Sequence, residues 1–328
     1  MRRILSIDGG GFRGVLTAAF LADIEDHLDH PLSSYFDLIS GTSTGGIIAL
    51  GLGLGHTAKE ILELYETKGP VIFSQEKSGL SGTVNDFLKK MKWLTLGPKH
   101  DSSKLETTLT SVFGNSRLGD ASTRLFIPSW HSKMSSVYIF KTAHHERLKS
   151  DYKEFARDVA MATAAAPTYF REFITSNDIG LIDGGIWANN PVGFAVAEAI
   201  ANLKWKPEEI QVLTIGCLDD VMELKDAYGA ATIAPKLSGL FMAGQSSSSL
   251  GLAHTLTGDV GGANHKAIYR ISQPVISGYF SLDDTRKIGE LKSRAKAQAR
   301  IELPKLEKIF FQDLAEPFDH FYKLNPYE

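Results

Sequence analysis

The chain has 328 residues, of which 43% are hydrophobic and 22% charged, so it can bury a full core and is not a disordered protein. Its 35 basic and 38 acidic residues leave a formal charge of −3, which argues against a protein that binds nucleic-acid polymers through bulk positive charge. A single cysteine, Cys217, excludes an internal disulfide framework and a cysteine-rich zinc site, and favours a reducing, cytoplasmic location.

The first half of the chain alternates strand and helix patterns. The apolar run Ile4–Ile7 predicts a buried strand, and apolar residues at helical spacing predict a helix over 15–28. A second strand over 36–39 breaks at Gly41 and leads into a helix through Ile47–Leu50. This order predicts an α/β fold, with a mainly parallel central sheet flanked by helices.

The remaining elements extend this pattern to the end of the chain. Helices are predicted over 57–69 and 156–166, and strands over 123–127, 137–141, 180–183 and 211–215. We expect one domain over 1–328, with a core over about 1–217 and an insertion over about 74–104 near the pocket mouth. The more helical part over 218–328 is expected to form a cap or a homo-oligomer surface.

Membrane-spanning segments are not expected. Two stretches, 38–58 and 237–258, lack charged residues over roughly the ~20 residues that cross a bilayer. Both are interrupted by glycines and hydroxyl side chains, so neither is a continuous apolar segment. The apolar run Ile4–Ile7, which follows Met1 and two arginines, is too short for a signal-peptide core.

The pentapeptide Gly41-Thr42-Ser43-Thr44-Gly45 lies between a predicted strand and a predicted helix. A Gly-x-Ser-x-Gly turn in this position raises a serine hydroxyl out of the sheet, at the positive end of the next helix. The glycines are needed because the turn is tight and the neighbouring backbone is close. We therefore predict Ser43 as a nucleophile, supported by Gly41 and Gly45. The alternative is a turn that only caps the helix.

A glycine run, Gly9-Gly10-Gly11, follows the first strand. Its backbone N–H groups at a helix N-terminus suit an anion, which in a serine hydrolase is the tetrahedral oxyanion. Arg13 is expected to fix this loop or to bind a phosphate. The spacing Gly9-x-Gly11-x-x-Gly14 also fits a dinucleotide-binding loop, so a dinucleotide-binding protein or an oxidoreductase is the alternative function. The acidic residue that binds ribose in such proteins is missing after the second strand.

A candidate base, Asp183, follows the apolar pair Leu181-Ile182 and precedes Gly184. A serine nucleophile needs a group that takes its proton. A free aspartate, with a pKa of ~3.9, is a weak base, but burial and a hydrogen bond to the serine would improve it. The alternative is a turn-forming Asp-Gly pair.

Histidines offer a rival arrangement, the Ser-His-Asp triad. None of the candidates lies in a glycine-rich catalytic turn; they are His131, His144, His145, His254 and His265. His144 and His145 are adjacent on a predicted strand end and point to opposite faces, so they make a poor shared metal site. We expect them to be structural or to line a pocket.

Taken together, the three glycine-containing motifs resemble those of the patatin-like phospholipases, over about residues 4–217. The resemblance implies a Ser43–Asp183 dyad with no catalytic histidine, no metal and no cofactor, and an oxyanion hole in Gly9–Gly11. It also implies attack on acyl esters of phospholipids through an acyl-enzyme.

Two further segments, Phe36–Phe73 and Lys141–His145, are similar to bacterial patatin-like effectors of anti-phage signalling. That similarity implies activation by a cyclic dinucleotide such as cyclic GMP-AMP, and attack on the cell's own membrane. The enzyme would then be cytoplasmic, and peripheral to the inner membrane when active. The sequence contains no independent nucleotide-binding motif by which the activator's site could be located.

Apolar and basic residues alternate over 87–99, in the composition of an interfacial patch. The alternative is a cap helix that packs over the active site with its lysines in water.

Overall fold

A mixed eight-stranded sheet forms the centre of the protein. The structure is a computed structural model, and it describes residues 1–73, 98–221, 230–260 and 266–325. The strand order is β5-β6-β3-β2-β1-β7-β9, with β4 paired to β3, and β8 and β10 form a separate parallel pair. The strands are β1 (Arg2–Ile7), β2 (Leu38–Gly41), β3 (Arg124–His131), β4 (Ser136–Lys141), β5 (Phe173–Ile174), β6 (Gly180–Asp183), β7 (Ile210–Ile215), β8 (Asp219–Val221), β9 (Ile268–Ile271) and β10 (Pro274–Ile276).

Helices cover both faces of the sheet. They are α1 (Gly14–Glu25), α2 (Thr44–Gly53), α3 (Ala58–Ile72), α4 (Ser102–Phe113), α5 (Ala156–Ala164), α6 (Gly185–Ala188), α7 (Val192–Ala201), α8 (Ala230–Thr257) and α9 (Ile288–Phe310). Successive strand residues point to opposite faces. Leu5 therefore joins a core cluster with α1, α2 and α9, whereas Ile4 joins a second cluster with α7 and α8. The predicted α/β fold is confirmed, and its C-terminal part supplies one long helix to each face.

The parallel strands bring their carboxyl ends to one edge of the sheet. Ile4 of β1 is in register with Leu38 of β2 and with Val212 of β7, so the loops after these strands lie side by side. Crevices outside the carboxyl ends of parallel strands are the usual ligand sites of such sheets.

The antiparallel strand β6 places a second loop at the same point. β4 pairs along β3 from Phe126 to His131 and so occupies one edge of that strand. β2 pairs with the first part of the other edge, and β6 pairs with its last part, where Asp183 lies opposite Ser129. The carboxyl ends of β2 and β6 therefore face each other across a short gap.

Element boundaries differ from the sequence predictions by a few residues. α1 ends at Glu25 rather than at 28, in a segment that leads to Pro31. β2 spans 38–41 rather than 36–39, because the Asp37 side chain accepts a hydrogen bond from the Arg3 amide. Residues 74–97, most of the predicted insertion and of the 87–99 patch, lie outside the described residues. Across the described part of the chain, no helix combines the length and hydropathy that crossing a bilayer requires.

Candidate active site

Ser43 occupies a strained turn between β2 and α2. Its φ of 56° and ψ of −123° lie in a region that residues other than glycine rarely adopt, as at other nucleophile elbows. The flanking glycines are required by close contacts. A Cβ at Gly41 would lie 2.1 Å from the Gly45 carbonyl oxygen, and one at Gly45 would lie 2.4 Å from the Ile7 carbonyl oxygen. The tight turn predicted between β2 and α2 is thus formed, with Gly41 and Gly45 on either side of Ser43; the role of Ser43 as nucleophile stays a prediction.

Asp183 accepts a short hydrogen bond from this serine. The Ser43 Oγ to Asp183 Oδ2 distance is 2.6 Å, and Oδ1 of the same carboxylate accepts from the Gly185 amide at 2.7 Å. Burial raises the pKa of Asp183 to about 6, although both hydrogen bonds act to lower it. A carboxylate with such a pKa can accept a proton close to neutral pH. Gly184 keeps the turn close to β3, because a Cβ there would lie 2.4 Å from the Pro128 carbonyl oxygen.

The glycine loop after β1 packs against the elbow. A Cβ at Gly9 would lie 3.3 Å from the Ser43 Cβ, and the Thr44 hydroxyl donates to the Gly11 carbonyl at 2.8 Å. The Gly9 amide is engaged, since it donates to the Asn189 carbonyl at 2.9 Å. Within the described ranges, no acceptor lies within hydrogen-bond distance of the Gly10 or Gly11 amide. Of the three glycine amides predicted to form an oxyanion hole, those of Gly10 and Gly11 are therefore available to a ligand and that of Gly9 is not; the oxyanion hole itself stays a prediction.

Two partly buried ion pairs hold this loop in place. Arg13 Nη1 lies 2.8 Å from Asp220 Oδ2, and its Nε donates to the Gly10 carbonyl at 3.4 Å. Arg270 contacts both carboxylate oxygens of Asp8, at 2.9 and 2.6 Å. Of the two roles predicted for Arg13, these contacts support fixing the loop, because its guanidinium is already paired.

Sequence reasoning missed Thr163, Asn189 and Arg270. The Ser43 amide donates to the Thr163 hydroxyl at 3.0 Å, which in turn donates to the Pro128 carbonyl at 2.6 Å. The Asn189 side chain donates to the Gly9 carbonyl at 3.4 Å. The run Asn189-Asn190-Pro191, shortly after Asp183, is a signal that could identify the asparagine. Thr163 and Arg270 lie in segments with no comparable pattern.

The candidate histidines form hydrogen bonds away from the dyad. His144 is buried and bonds to Thr142 and Glu198, and His254 bonds to the Asp259 carbonyl. The imidazole of His131 accepts from the Met134 amide. Among the described residues, no histidine bonds to Ser43 or Asp183, and His265 lies outside them. The histidine-containing triad is therefore not formed by the described chain.

The fold and this site define a class of protein: an α/β protein with a serine on a nucleophile elbow and an aspartate bonded to its hydroxyl. The family model for patatin-like phospholipases matches residues 5–196, more than half of the chain. The chain belongs to this family. That membership favours the hydrolase over the dinucleotide-binding alternative for the glycine loop.

Proteins similar in sequence to this chain occur in bacteria and in plants. The chain is 39% identical over 217 residues to a protein of Pseudomonas aeruginosa named cGAMP-activated phospholipase, and 34% identical over 236 residues to one of the same name from Vibrio cholerae. It is 35% identical over 217 residues to patatin-like protein 2 of Arabidopsis thaliana, a match that covers 60% of this chain and 52% of that protein. The bacterial matches cover 66% and 68% of this chain, and the chain spans 62% and 66% of the length of those relatives.

Proposed function

We propose that this protein is a lipid acyl hydrolase that cleaves ester bonds of membrane phospholipids, with Ser43 as nucleophile and Asp183 as base. The observation that carries the proposal is the 2.6 Å hydrogen bond from the Ser43 hydroxyl to a buried carboxylate. Family membership supports the substrate class, because the matching family model is that of patatin-like phospholipases.

The geometry suits a two-step acyl transfer. Ser43 Oγ attacks the ester carbonyl carbon while its proton passes to Asp183 Oδ2, and the Gly10 and Gly11 amides stabilise the oxyanion. When the tetrahedral intermediate collapses, the Asp183 carboxyl gives the proton to the departing lysophospholipid oxygen. A water molecule then loses a proton to Asp183 and attacks the acyl-enzyme carbonyl carbon. As the bond to Ser43 Oγ breaks, the Asp183 carboxyl returns that proton to Oγ, which releases the fatty acid and restores the Ser43 hydroxyl.

Covalent trapping tests the nucleophile. A fluorophosphonate probe should form an adduct whose mass lies on the peptide that contains Ser43, because only an activated serine displaces fluoride at an appreciable rate. Ser43→Ala should abolish the adduct. Ser247→Ala, a change of an exposed serine on α8, should leave it unchanged. An adduct that persists in Ser43→Ala, or that maps to another residue, contradicts the assignment.

Activation by a cyclic dinucleotide belongs to the same proposal. It is favoured by the three relatives named cGAMP-activated phospholipase, at 32–39% identity. In the cell, the nucleotide would turn on hydrolysis at the surface of the membrane to which the enzyme binds peripherally. The rate of probe labelling at Ser43, measured with a panel of cyclic dinucleotides, should rise at least tenfold with one of them. Equal rates with and without every nucleotide would remove the regulation and keep the hydrolase.

A further inference from the structure

A cleft of about 510 Å³ lies at the amino-terminal edge of the sheet, opposite the edge that carries Ser43. Arg2 at the start of β1 and Arg124 at the start of β3 contribute to its wall. The loop after α7 and the chain segment after α9 complete it, with Trp205 and Phe318 among the lining residues. Its volume is in the range of clefts that hold small ligands.

The cleft carries more basic than acidic side chains. The basic residues are Arg2, Arg124, Lys204 and Lys206, and the acidic residues are Glu209 and Asp319. Both carboxylates are already paired, with Lys206 at 3.3 Å and with Lys323 at 3.0 Å, and Arg2 is paired with Asp37 at 2.9 Å and with Glu316. In the part of the chain that the structure describes, Arg124 and Lys204 have no carboxylate within 4 Å. Two cations in the wall are therefore left without an anionic partner.

Arg124 is positioned to bind an anionic ligand. Its guanidinium lies 4.9 Å from the Phe318 ring centre and 5.8 Å from that of Trp205, and it donates to the Asp37 carbonyl at 3.1 Å. A guanidinium has five N–H donors, so this one keeps donors for a phosphate in the bidentate geometry that arginine favours. Lys204 lies two residues after Asn202, which caps α7, and has a left-handed backbone conformation with φ of 60°. Its ammonium donates to the Ala201 carbonyl at 2.7 Å.

Aromatic side chains lie beside these cations. Phe321 is 61% exposed, and the ring of His145 lies 6.3 Å from it. An exposed phenylalanine at the mouth of a basic cleft offers a platform on which a nucleobase can stack. Phosphate-binding cations together with a stacking platform fit a nucleotide better than a lipid headgroup, which has no base.

We propose that this cleft is the site at which the activating nucleotide binds, with a phosphodiester on Arg124 and Lys204 and a base on Phe321. This inference rests on the proposed regulation by a cyclic dinucleotide. The cleft is joined to the active site by two strands. Along one strand, Asp37, the partner of Arg2, directly precedes β2, which leads to Ser43. Along the other, β3 begins at Arg124 and includes Ser129, which pairs with Asp183.

Calorimetric titration of the full chain with cyclic GMP-AMP, and then with the rest of the cyclic dinucleotide panel, tests the site. Arg124→Lys keeps the charge but loses the planar fork, and should weaken binding at least tenfold. Phe321→Ala should weaken binding roughly tenfold through lost stacking. Because the Phe321 side chain is 61% exposed, its removal should leave the fold unchanged. Arg157→Lys is the matched control, because Arg157 stacks on Phe155 at 4.2 Å outside the cleft; it should bind as the wild type does.

The outcomes separate the cleft from the proposed function. If the wild type binds the nucleotide and both Arg124→Lys and Phe321→Ala bind it with the same affinity, the cleft is not the nucleotide site. The proposal that a nucleotide regulates the enzyme then still stands. A wild-type protein that binds no cyclic dinucleotide overturns both the cleft and the regulation. Neither result bears on the proposed roles of Ser43 as nucleophile and Asp183 as base, because probe labelling and the activity of the variants test those roles separately.

Discussion

At the scale of single residues, the proposed chemistry depends on the environment of one carboxylate. Asp183 is 6% exposed and receives hydrogen bonds from Ser43 and from the Gly185 amide. Burial penalises its charged form, so its pKa rises to about 6, and the two hydrogen bonds limit the rise. An aspartate with an ordinary pKa of ~3.9 would hold a proton taken from serine too weakly to act as an effective base near neutral pH.

The pH dependence of hydrolysis follows from this pKa. Because Asp183 must be ionised to accept a proton, kcat/KM should be flat above pH 7 and fall about tenfold per unit below pH 6. Initial rates on a soluble ester from pH 4.5 to 8.5 check this, and activity undiminished at pH 5 contradicts it.

Unfolding in acid could also make activity fall below pH 6. Protonation of Asp183 is not expected to cause such unfolding. The pKa of Asp183 is higher in the folded chain than its ordinary value of 3.8, so the folded state binds the proton more tightly. Its contribution to stability is therefore fully present below about pH 4 and lost as the pH rises through about 6. Circular dichroism at each pH serves as the control.

The candidate nucleophile, base and glycine loop could be predicted because each is a short motif at the end of a strand. Thr163 and Arg270 could not, because their partners Ser43 and Asp8 lie far away in sequence and meet them only in the folded protein. The engagement of the Gly9 amide is a tertiary contact of the same kind. No local sequence pattern distinguishes the Gly9 amide from those of Gly10 and Gly11, which have no partner among the described residues.

At the scale of elements, the elbow depends on how closely β2, α2 and β1 approach. Gly41→Ala places a methyl group 2.1 Å from the Gly45 carbonyl oxygen, so the backbone must shift. We expect a loss of at least about 2 kcal/mol in the free energy of unfolding, together with loss of activity. Urea unfolding followed by circular dichroism measures this.

Gly251→Ala is the matched control for that substitution. Gly251 is exposed on α8 and a Cβ there has no atom within 4 Å, so alanine should stabilise the protein by roughly 0.5–1 kcal/mol. If Gly41→Ala unfolds at the same urea concentration as the wild type, the elbow does not require glycine at that position.

The types of most elements follow from hydrophobic periodicity, whereas the pairing of β6 does not. A run such as Gly180–Asp183 predicts a strand but not its direction. Its antiparallel pairing with β3, in the space left beyond β2, is what turns Asp183 toward Ser43. If β6 ran parallel to β3 in the same space, Asp183 would lie beside the carboxyl end of β3, away from Ser43.

At the scale of the whole molecule, the two ends of the sheet have different chemistry. The carboxyl ends carry a strained serine, a buried acid and two amides that have no partner among the described residues, and the amino ends carry a basic cleft with an exposed phenylalanine, Phe321. A buried network near that cleft, in which Glu198 accepts from Lys141 at 2.6 Å and bonds to His144 at 3.1 Å, ties α7 to the end of β4. Despite burial, these bonds lower the pKa of Glu198 to about 2, so this pairing persists at physiological pH.

Fatty-acid release from phospholipid vesicles is the most direct test of the central claim, that Ser43 and Asp183 hydrolyse lipid esters. The assay compares the wild type with Ser43→Ala and Asp183→Asn, each with cyclic GMP-AMP present. We predict release by the wild type and a loss of at least a thousandfold in both variants, with unchanged circular dichroism. Release at the wild-type rate by either folded variant would contradict the account.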